Sequence, residues 1–322
     1  MVTRALIAAE LRDLLDPDPL AGVEITWVPS DVATPAGSYA AIVPLLSRGI
    51  GAAELAGLPR LRIVANCAVG VDNIDLAACA ARGVVVTNTP DVLTDATADL
   101  ALALLLAVAR RFKEGQALIE RRAWTGWDPR HLLGLELRGA TLGIVGAGRI
   151  GRAVGRRAHA FGMRLCYTSR TPQPTFELET GALRLPLGEL LARSDVVTLH
   201  VPSQPDTRGM IGAAELTRMK RGALLVNTAR GDLVDEAALV EALESGQLGG
   251  VGLDVFAREP HVPEALIRHP RAVVLPHLGS ATVRTRRGMA GLAVRNVRAL
   301  LAGEPLVSPV LMPGTVEDRL LR

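Results

Sequence analysis

Three residues in the second half of the chain combine the types needed to reduce a carbonyl: Arg230, Glu259 and His277. A histidine titrates near neutral pH and can give a proton to a developing alkoxide. A nearby carboxylate favours the imidazolium and orients its ring, and an arginine can bind a substrate carboxylate and polarise its carbonyl. Each residue alone is more readily explained as structural. Their joint placement at the carboxyl ends of predicted strands predicts hydride transfer to a 2-oxo acid.

The expected hydride carrier is a dinucleotide bound at Gly146-Ala147-Gly148-Arg149-Ile150-Gly151, which directly follows the apolar run 141–145 and opens a helical pattern. The first glycine permits a tight turn, the second lets the backbone approach a pyrophosphate, and the third lets helix and strand pack closely. The start of the helix offers N–H groups and a positive dipole end to the phosphates. The alternative is a glycine turn in a Rossmann-like unit that binds no dinucleotide.

The end of the next predicted strand indicates which dinucleotide is preferred. An acidic residue about 20 positions beyond the glycines accepts the ribose 2′-OH of NAD, but no Asp or Glu occurs between Gly162 and Phe176. The strand ends instead in Ser169-Arg170-Thr171, and a hydroxyl followed by a guanidinium suits a 2′-phosphate. We therefore predict NADP as the preferred cofactor, with NAD as the alternative if Arg170 is simply solvated.

The composition of the chain argues against several other classes of function. A formal net charge of +3, evenly spread, is too small to indicate a nucleic-acid or membrane partner. The longest apolar run, 100–108, is shorter than the roughly 20 residues that span a bilayer, and the N-terminus has no signal-peptide pattern. Cys67, Cys79 and Cys166 form no paired framework and no C-x-x-C, so we predict a cytoplasmic protein without a metal site.

Short strand patterns alternate with helical patterns in both halves of the 322-residue chain, which is long enough for two domains. This alternation predicts an α/β fold with parallel sheets and helices on both faces. The predicted strands are 23–28, 40–43, 61–66, 83–88, 141–145, 164–168, 195–199, 223–227, 250–254 and 272–275. The predicted helices are 4–16, 52–58, 74–82, 96–122, 149–162, 187–193, 235–245 and 280–302. Residues 303–322 are expected to return to the first domain.

These motifs together resemble the D-isomer-specific 2-hydroxyacid dehydrogenase family over nearly the whole chain. The matching segments are 66–75, 89–98, 146–151, 200–202, 227–231, 252–256, 259–260 and 276–282. The resemblance implies two Rossmann-like, doubly wound parallel-sheet domains with a cleft between them, and a homodimer. Residues 1–96 and 290–322 would form a discontinuous substrate-binding domain, and 97–289 the dinucleotide-binding domain. One departure is the short segment Met1 to Arg4, which leaves the family's first edge strand in doubt.

The resemblance also implies roles for individual residues. It assigns the family's catalytic arginine, glutamate and histidine to Arg230, Glu259 and His277, with His277 as the proton donor. The predicted substrate-binding residues are Val69, Gly70, Arg230, His277 and Ser280. The predicted cofactor-binding residues are Thr97, Gly146, Gly148, Arg149, Ile150, Gly151, Ser169, Arg170, Thr171, His200, Val201, Pro202, Thr207, Thr228, Ala229, Asp254 and Gly279.

Within the family, the segments 93–98, 124–129 and 279–286 are most similar to glyoxylate/hydroxypyruvate reductases. The implied activity is NADPH-preferring reduction of glyoxylate, hydroxypyruvate or a similar small 2-oxo acid to the D-2-hydroxy acid. Two alternatives remain: a dehydrogenase of another D-2-hydroxy acid, such as D-lactate or a larger analogue, and a dinucleotide-sensing corepressor that retains the catalytic residues. Trp127 is expected either to reach the neighbouring subunit's active site or to pack in the dimer.

Overall fold

The computed structural model describes residues 2–310. The chain divides into two compact units, unit 1 being Met1–Leu93 with Ala281–Arg322 and unit 2 being Thr94–Ser280. The strands are β1 (Thr3–Ala8), β2 (Val23–Val28), β3 (Ala41–Val43), β4 (Ile63–Ala65), β5 (Val85–Thr87), β6 (Thr141–Val145), β7 (Arg164–Thr168), β8 (Leu183–Arg184), β9 (Val196–Leu199), β10 (Ala223–Asn227), β11 (Leu248–Leu253) and β12 (Ala272–Val274). The α-helices are α1 (Ala52–Ala56), α2 (Leu76–Ala81), α3 (Thr94–Ala109), α4 (Phe112–Glu120), α5 (Arg149–Ala160), α6 (Pro174–Thr180), α7 (Leu187–Arg193), α8 (Ala213–Arg218), α9 (Glu236–Glu244), α10 (Glu264–Arg268) and α11 (Val283–Ala302).

Unit 1 is built on a parallel five-stranded sheet in the order β2-β1-β3-β4-β5. One face of the sheet packs against α11, whose buried residues include Met289, Ala293 and Val297. The other face packs against α1 and α2 through Leu55 and Cys79. Helices on both faces bury both sides of the sheet, so its inner strands β3 and β4 are apolar throughout, whereas the edge strand β2 carries the exposed Glu24.

The first strand corrects two expectations. Residues 4–16 were predicted as a helix, and this prediction is wrong: they form most of β1 followed by a short 3-10 helix, Ala9–Leu14. The strand is also not an edge strand, because it lies between β2 and β3. Ala5 to Ala8 are all buried. A strand covered on both faces reads as a continuous apolar run and lacks the alternation that would distinguish it from a helix.

Unit 2 contains a parallel seven-stranded sheet in the order β12-β11-β10-β9-β6-β7-β8. Counted from β6, the order is that of a Rossmann sheet, and the direction of winding reverses between β6 and β9. Ligands of such sheets bind outside the carboxyl ends of the strands at this reversal. Two α/β units with parallel sheets confirm the fold class predicted from the sequence.

The segment 96–122 is two helices and not the single one predicted. Helix α3 ends at Ala109, and Arg111 has a φ of +55°, so the chain turns before α4 begins. Arg111 pairs with Glu114 through two hydrogen bonds of 2.6 and 2.7 Å, which hold this turn. Helix α3 packs inside unit 2. Its Val108 lies against Gly250 of β11, where a Cβ would come within 2.6 Å of the Val108 side chain.

Short elements and boundaries account for the other differences. The sequence did not predict α6, α8 or α10, each at most seven residues long, because such helices show less than two turns of periodicity.

Helix α11 lies wholly in unit 1, so the division between the two units falls before this helix and not at residue 290. The return of the C-terminal segment to unit 1 is confirmed up to Val310, whose N–H donates to Val86, and residues 311–322 lie outside the described part. Among residues 2–310, no helix has the length and apolar character that a membrane span needs.

Candidate active site in unit 2

The glycine motif forms the turn between β6 and α5, beside the point where the sheet reverses. Gly146 has a φ of +97°, and a Cβ there would lie 2.7 Å from the carbonyl of His200. A Cβ on Gly151 would lie 2.1 Å from the carbonyl oxygen of Gly146. Gly148 precedes α5 with open space at its Cβ position and, among the described residues, no side chain that caps the helix. The turn therefore offers the close approach and the N–H groups that a pyrophosphate requires.

The loop after β7 carries the residues predicted to select the dinucleotide. Ser169 Oγ donates to the carbonyl of Thr171 over 2.5 Å, and Gln173 Nε2 lies 3.3 Å from Thr171 Oγ1. Gln173 Oε1 accepts from Arg152 Nη1 at 2.7 Å, and the same nitrogen donates to the carbonyl of Ala147 at 2.9 Å. Arg152 and Gln173 thus connect this loop to the glycine turn. Neither residue belongs to a recognised sequence pattern, so the sequence did not indicate their role.

The candidate proton donor and its carboxylate are in contact. His277 Nδ1 lies 2.8 Å from Glu259 Oε2, and about a third of each side chain is exposed, 33% and 37%. Glu259 Oε1 accepts the N–H of Phe256 at 3.1 Å, which fixes the carboxylate against its own loop. With Nδ1 engaged, Nε2 is the ring nitrogen left for proton transfer to a ligand.

Glu259 stays ionised in this arrangement. Burial raises the pKa of its carboxyl, but the hydrogen bond and charge of His277, the N–H of Phe256 and the charge of Arg230 together outweigh burial and lower it. The carboxylate is therefore a negative partner for an imidazolium across the neutral pH range.

Arg230 reaches the same region from the carboxyl end of β10. Asn227 Nδ2 donates to the carbonyl of Arg230 at 2.8 Å, and Asn227 Oδ1 accepts the N–H of Ala229 at 3.0 Å. A Cβ on Gly231 would lie 1.9 Å from the carbonyl carbon of Phe256. Glycine at 231 is therefore what allows the Arg230 loop to approach the segment that carries Glu259, whose pKa responds to the charge of Arg230.

Asp254 builds the turn on which His277 sits. Its side chain is fully buried, and its two oxygens accept the N–H groups of Leu278 and Gly279 at 2.6 and 2.7 Å. Its carbonyl accepts the N–H of His277 at 2.9 Å. Burial raises the pKa of Asp254, although these N–H groups and the charge of His277 oppose the rise. His277 has a φ of +54°, an uncommon conformation for a residue with a side chain, and Asp254 supplies the contacts that hold it.

Thr97 and Gly279 are also brought together here. Thr97 Oγ1 donates to the carbonyl of Gly279 at 3.0 Å, and a Cβ on Gly279 would lie 3.4 Å from Asp254 Oδ2. Both residues therefore support the His277 turn. The cofactor contact predicted for each, and for Asp254, stays a prediction.

The segment after β9 carries His200, Val201, Pro202 and Thr207. His200 Nε2 lies 2.9 Å from Thr198 Oγ1, and burial lowers the pKa of His200 to about 3. Thr207 Oγ1 donates to the carbonyl of Pro202 at 2.7 Å and accepts the N–H of Gln204, which closes the loop. Only the backbone of His200 approaches the glycine turn.

Other predicted residues at this end of the sheet are accessible in different degrees. Ile150, Val201, Ala229 and Ser280 are partly exposed, and Arg149 and Pro202 are exposed. Thr228 Oγ1 is buried and has no hydrogen-bond partner within residues 2–310. An unpaired buried hydroxyl fits a site that binds a polar ligand. Together with the glycine turn, it shows that the residues present are compatible with a dinucleotide.

Val69 and Gly70 lie in unit 1, in the loop after β4. Asn88 Nδ2 donates to the carbonyl of Val69 at 2.8 Å, and Asn66 Nδ2 donates to the carbonyl of Gly70 at 2.9 Å. Asn66 also pairs with Asn73 through two amide hydrogen bonds. Two neutral amides thus hold the loop by its carbonyls, and Asn73 holds one of these amides, that of Asn66. Asn66 and Asn73 lie in the segment 66–75 that resembles the family. The sequence did not indicate that Asn66 binds the carbonyl of Gly70 or that Asn73 pairs with Asn66.

Comparisons with known proteins identify the family of the chain. Residues 102–279 match the family described as D-isomer specific 2-hydroxyacid dehydrogenase, NAD binding domain. The chain is 49% identical to the glyoxylate reductase of Thermococcus litoralis over 82% of this chain and 81% of the relative. The crystal structure of the TT0316 protein from Thermus thermophilus is similar with a TM-score of 0.88 and 44% identity, covering 96% of this chain and 100% of that one. An NADPH-dependent glyoxylate/hydroxypyruvate reductase from Sinorhizobium meliloti, solved with NADP and malonate, has a TM-score of 0.85 and 36% identity over 96% and 97% of the two chains.

Proposed function

Because the chain belongs to the D-isomer specific 2-hydroxyacid dehydrogenase family, we propose that it reduces glyoxylate, hydroxypyruvate or a similarly small 2-oxo acid to the D-2-hydroxy acid. The observation that carries the proposal is the contact of His277 Nδ1 with Glu259 at 2.8 Å, at the carboxyl ends of the strands and within the electrostatic reach of Arg230. The relatives named glyoxylate reductases support the substrate class.

In the proposed mechanism, C2 of the substrate accepts a hydride that a nicotinamide bound at the glycine turn would supply. Arg230 binds the substrate carboxylate and polarises the 2-oxo group. His277 donates the proton from Nε2 to the alkoxide oxygen as negative charge develops there. Glu259 keeps the ring oriented and favours the imidazolium that donates the proton. The hydride forms a new C–H bond at C2, the π electrons of the carbonyl pass to its oxygen, and the proton from His277 completes the O–H bond. The neutral imidazole then regains its proton from solvent.

We also propose that NADPH is preferred over NADH. The absence of an acidic residue from 163 to 175 and the presence of Ser169 and Arg170 support this preference. The NADP-containing relative supports it by similarity. Comparison of kcat/KM for NADPH and NADH tests the preference directly, and a clear preference for NADH would refute it.

The substrate is tested by a steady-state screen of 2-oxo acids with both cofactors. We expect glyoxylate and hydroxypyruvate to have the highest kcat/KM, and pyruvate and larger 2-oxo acids to be poorer substrates. A higher kcat/KM for pyruvate or an aromatic 2-oxo acid would instead favour a dehydrogenase of D-lactate or a larger analogue.

We propose that Val69, Gly70 and Ser280 also contribute to substrate binding. An Asn88→Ala variant, which frees the carbonyl of Val69, should then raise KM for the oxo acid more than it changes kcat.

We further propose that the enzyme is a cytoplasmic homodimer. Its three free cysteines are buried, which suits a reducing compartment. Several large apolar side chains of one segment of unit 2 are exposed, and Trp127 at 85% is the most exposed of them; the others are Phe112, Ile119, Trp124 and Leu133. Such a concentration is typical of an interface. Light scattering should give twice the chain mass, and Trp127→Ala should weaken the dimer if this segment forms the interface.

A further inference from the structure

The loop predicted to bind the 2′-phosphate has a partner that the sequence did not single out, Arg184. This residue lies on β8, the edge strand of the seven-stranded sheet. Strand β8 pairs in parallel with β7, with Arg184 opposite Tyr167. Because β7 ends one residue later and leads directly into Ser169, the register places Arg184 beside the start of the loop.

The Arg184 guanidinium binds two consecutive carbonyls of this loop. Its Nη2 donates to the carbonyl of Ser169 at 3.0 Å and to that of Arg170 at 2.9 Å, and its Nε lies 3.3 Å from the carbonyl of Ser169. A guanidinium can make such contacts together because its donors form a rigid planar fork, whereas a lysine offers a single point charge. The contacts fix the backbone on one side of the loop, and Gln173 fixes Thr171 on the other.

The same contacts concentrate positive charge at the loop. Arg170 and Arg184 are both exposed, and within residues 2–310 neither forms a salt bridge to a carboxylate. The nearest acidic residues along the chain are paired elsewhere: Glu177 with Tyr167, Glu179 with Arg156 and Glu189 with Arg193. Two guanidinium groups without acidic partners, on a loop with a fixed backbone, form a site suited to a dianionic phosphate.

We propose that Arg184 is a positioning residue for recognition of the cofactor's 2′-phosphate, which it serves by holding Ser169 and Arg170 in the binding conformation and by adding positive charge to the site. This inference rests on the proposed preference for NADPH. It extends the specificity determinant from the three residues after β7 to a fourth on the neighbouring strand.

The test uses two probes that differ by one phosphate, 2′,5′-ADP and 5′-AMP, and measures their Kd by calorimetry. The variants are Arg184→Ala, Arg184→Lys and Arg170→Ala, with Arg268→Ala as the control. Arg268 is an exposed arginine on α10, which packs beside β12 at the opposite edge of the sheet, so its removal changes net charge equally. Thermal unfolding of each variant confirms that it is folded.

We expect Arg184→Ala to weaken 2′,5′-ADP binding about tenfold while 5′-AMP binding changes less than about twofold. The ratio of kcat/KM for NADPH to that for NADH should fall by a similar factor, with kcat for each unchanged. Arg184→Lys should recover only part of the loss, because it retains the charge without the fork. Arg268→Ala should behave as the wild type.

Three outcomes would overturn the inference, and they separate it from the proposed function. Unchanged 2′,5′-ADP binding in Arg184→Ala, with a loss in Arg170→Ala, would remove the role of Arg184 alone. Equal weakening of both probes would show a general structural effect and not phosphate recognition. A wild-type protein that binds both probes equally would refute the NADPH preference itself, and the role of Arg184 with it.

Discussion

Two histidines of unit 2, His200 and His277, follow strands of the same sheet but lie in opposite environments. His277 is partly exposed and contacts the carboxylate of Glu259 at 2.8 Å. His200 has the hydroxyl of Thr198 at 2.9 Å as its partner, and burial lowers its pKa to about 3. The position of a histidine at the end of a strand therefore does not decide whether it can donate a proton. The nature of its partner and its access to solvent decide it.

The backbone conformations at His277 and His200 also differ. His277 stands at a φ of +54° on a turn whose N–H groups bind the buried carboxylate of Asp254. His200 continues directly from β9, and its own backbone packs against Gly146. A strained backbone and a buried charge are costly, and they are concentrated at the histidine assigned to catalysis. The neutral ring of His200 is paired instead with the hydroxyl of Thr198.

Replacement of the two histidines should give the largest difference. We expect His277→Gln to lower kcat by about 10²–10⁴, because the general acid is lost. His200→Gln should retain kcat within about threefold, since a neutral buried imidazole cannot serve as the proton donor. Steady-state kinetics measures both, and fluorescence titration with NADPH tests that cofactor binding persists. Comparable losses of kcat in the two variants would break the contrast between the histidines.

Removal of the Glu259 carboxylate should leave Nδ1 of His277, like Nε2 of His200, without a charged partner. We expect Glu259→Gln to lower kcat for reduction by about 10- to 100-fold, because a neutral amide no longer favours the imidazolium. In the wild type the pKa of Glu259 is lowered from 4.5, so its charge is present above that value and is lost as the pH falls through the lowered pKa. The partner is thus charged throughout a neutral assay range.

The pH dependence of Glu259→Gln separates an electrostatic role from simple packing. The activity of the wild type in reduction should fall as the pH falls through the lowered pKa of Glu259, because the negative partner is then lost, whereas Glu259→Gln should show no such fall. Glu264→Gln is a suitable control, since Glu264 pairs with Arg268 on the surface of α10. The same fall in activity at acidic pH in the variant, together with a reduced kcat, would assign Glu259 a purely structural role.

The residues proposed for the chemistry of this site were easier to find in the sequence than the contacts that hold them. The Arg230, Glu259 and His277 set and the glycine turn belong to local patterns that can be read along the chain. The contacts that hold them, such as Asp254 with Leu278 and Arg152 with Gln173, join residues brought together only by the fold. Strand β1 was missed for a related reason, because burial on both faces removes the alternation by which a strand is recognised.

Replacement of Asp254 tests how far kcat depends on the turn that carries His277. In Asp254→Asn, one carboxylate oxygen becomes an NH₂ group that faces the N–H of Leu278 or Gly279, so one donor loses its acceptor. We expect kcat to fall about tenfold and the free energy of unfolding to fall by about 1–3 kcal/mol. Asp235→Asn is the control, because Asp235 likewise accepts two N–H groups, but at the start of α9. If kcat is unchanged while stability falls, the turn does not need Asp254 to position His277.

His200 should have the smallest effect on turnover but a defined effect on stability. In the folded state the pKa of the His200 ring is about 3, whereas its ordinary value, which applies to the unfolded chain, is 6.5. The stabilising contribution of the neutral ring is therefore complete above pH 6.5 and declines as the pH falls towards 3, by at most about 1.4 kcal/mol per pH unit. Urea unfolding of the wild type between about pH 7 and about pH 5 should show this decline. His200→Gln should lose the part due to His200 and keep the part due to His269, whose pKa is also lowered by burial. His159→Gln, which replaces an exposed histidine, should keep the wild-type slope. If His200→Gln keeps that slope too, the buried ring does not cause the loss of stability in acid, and the contrast with His277 would rest on kinetics alone.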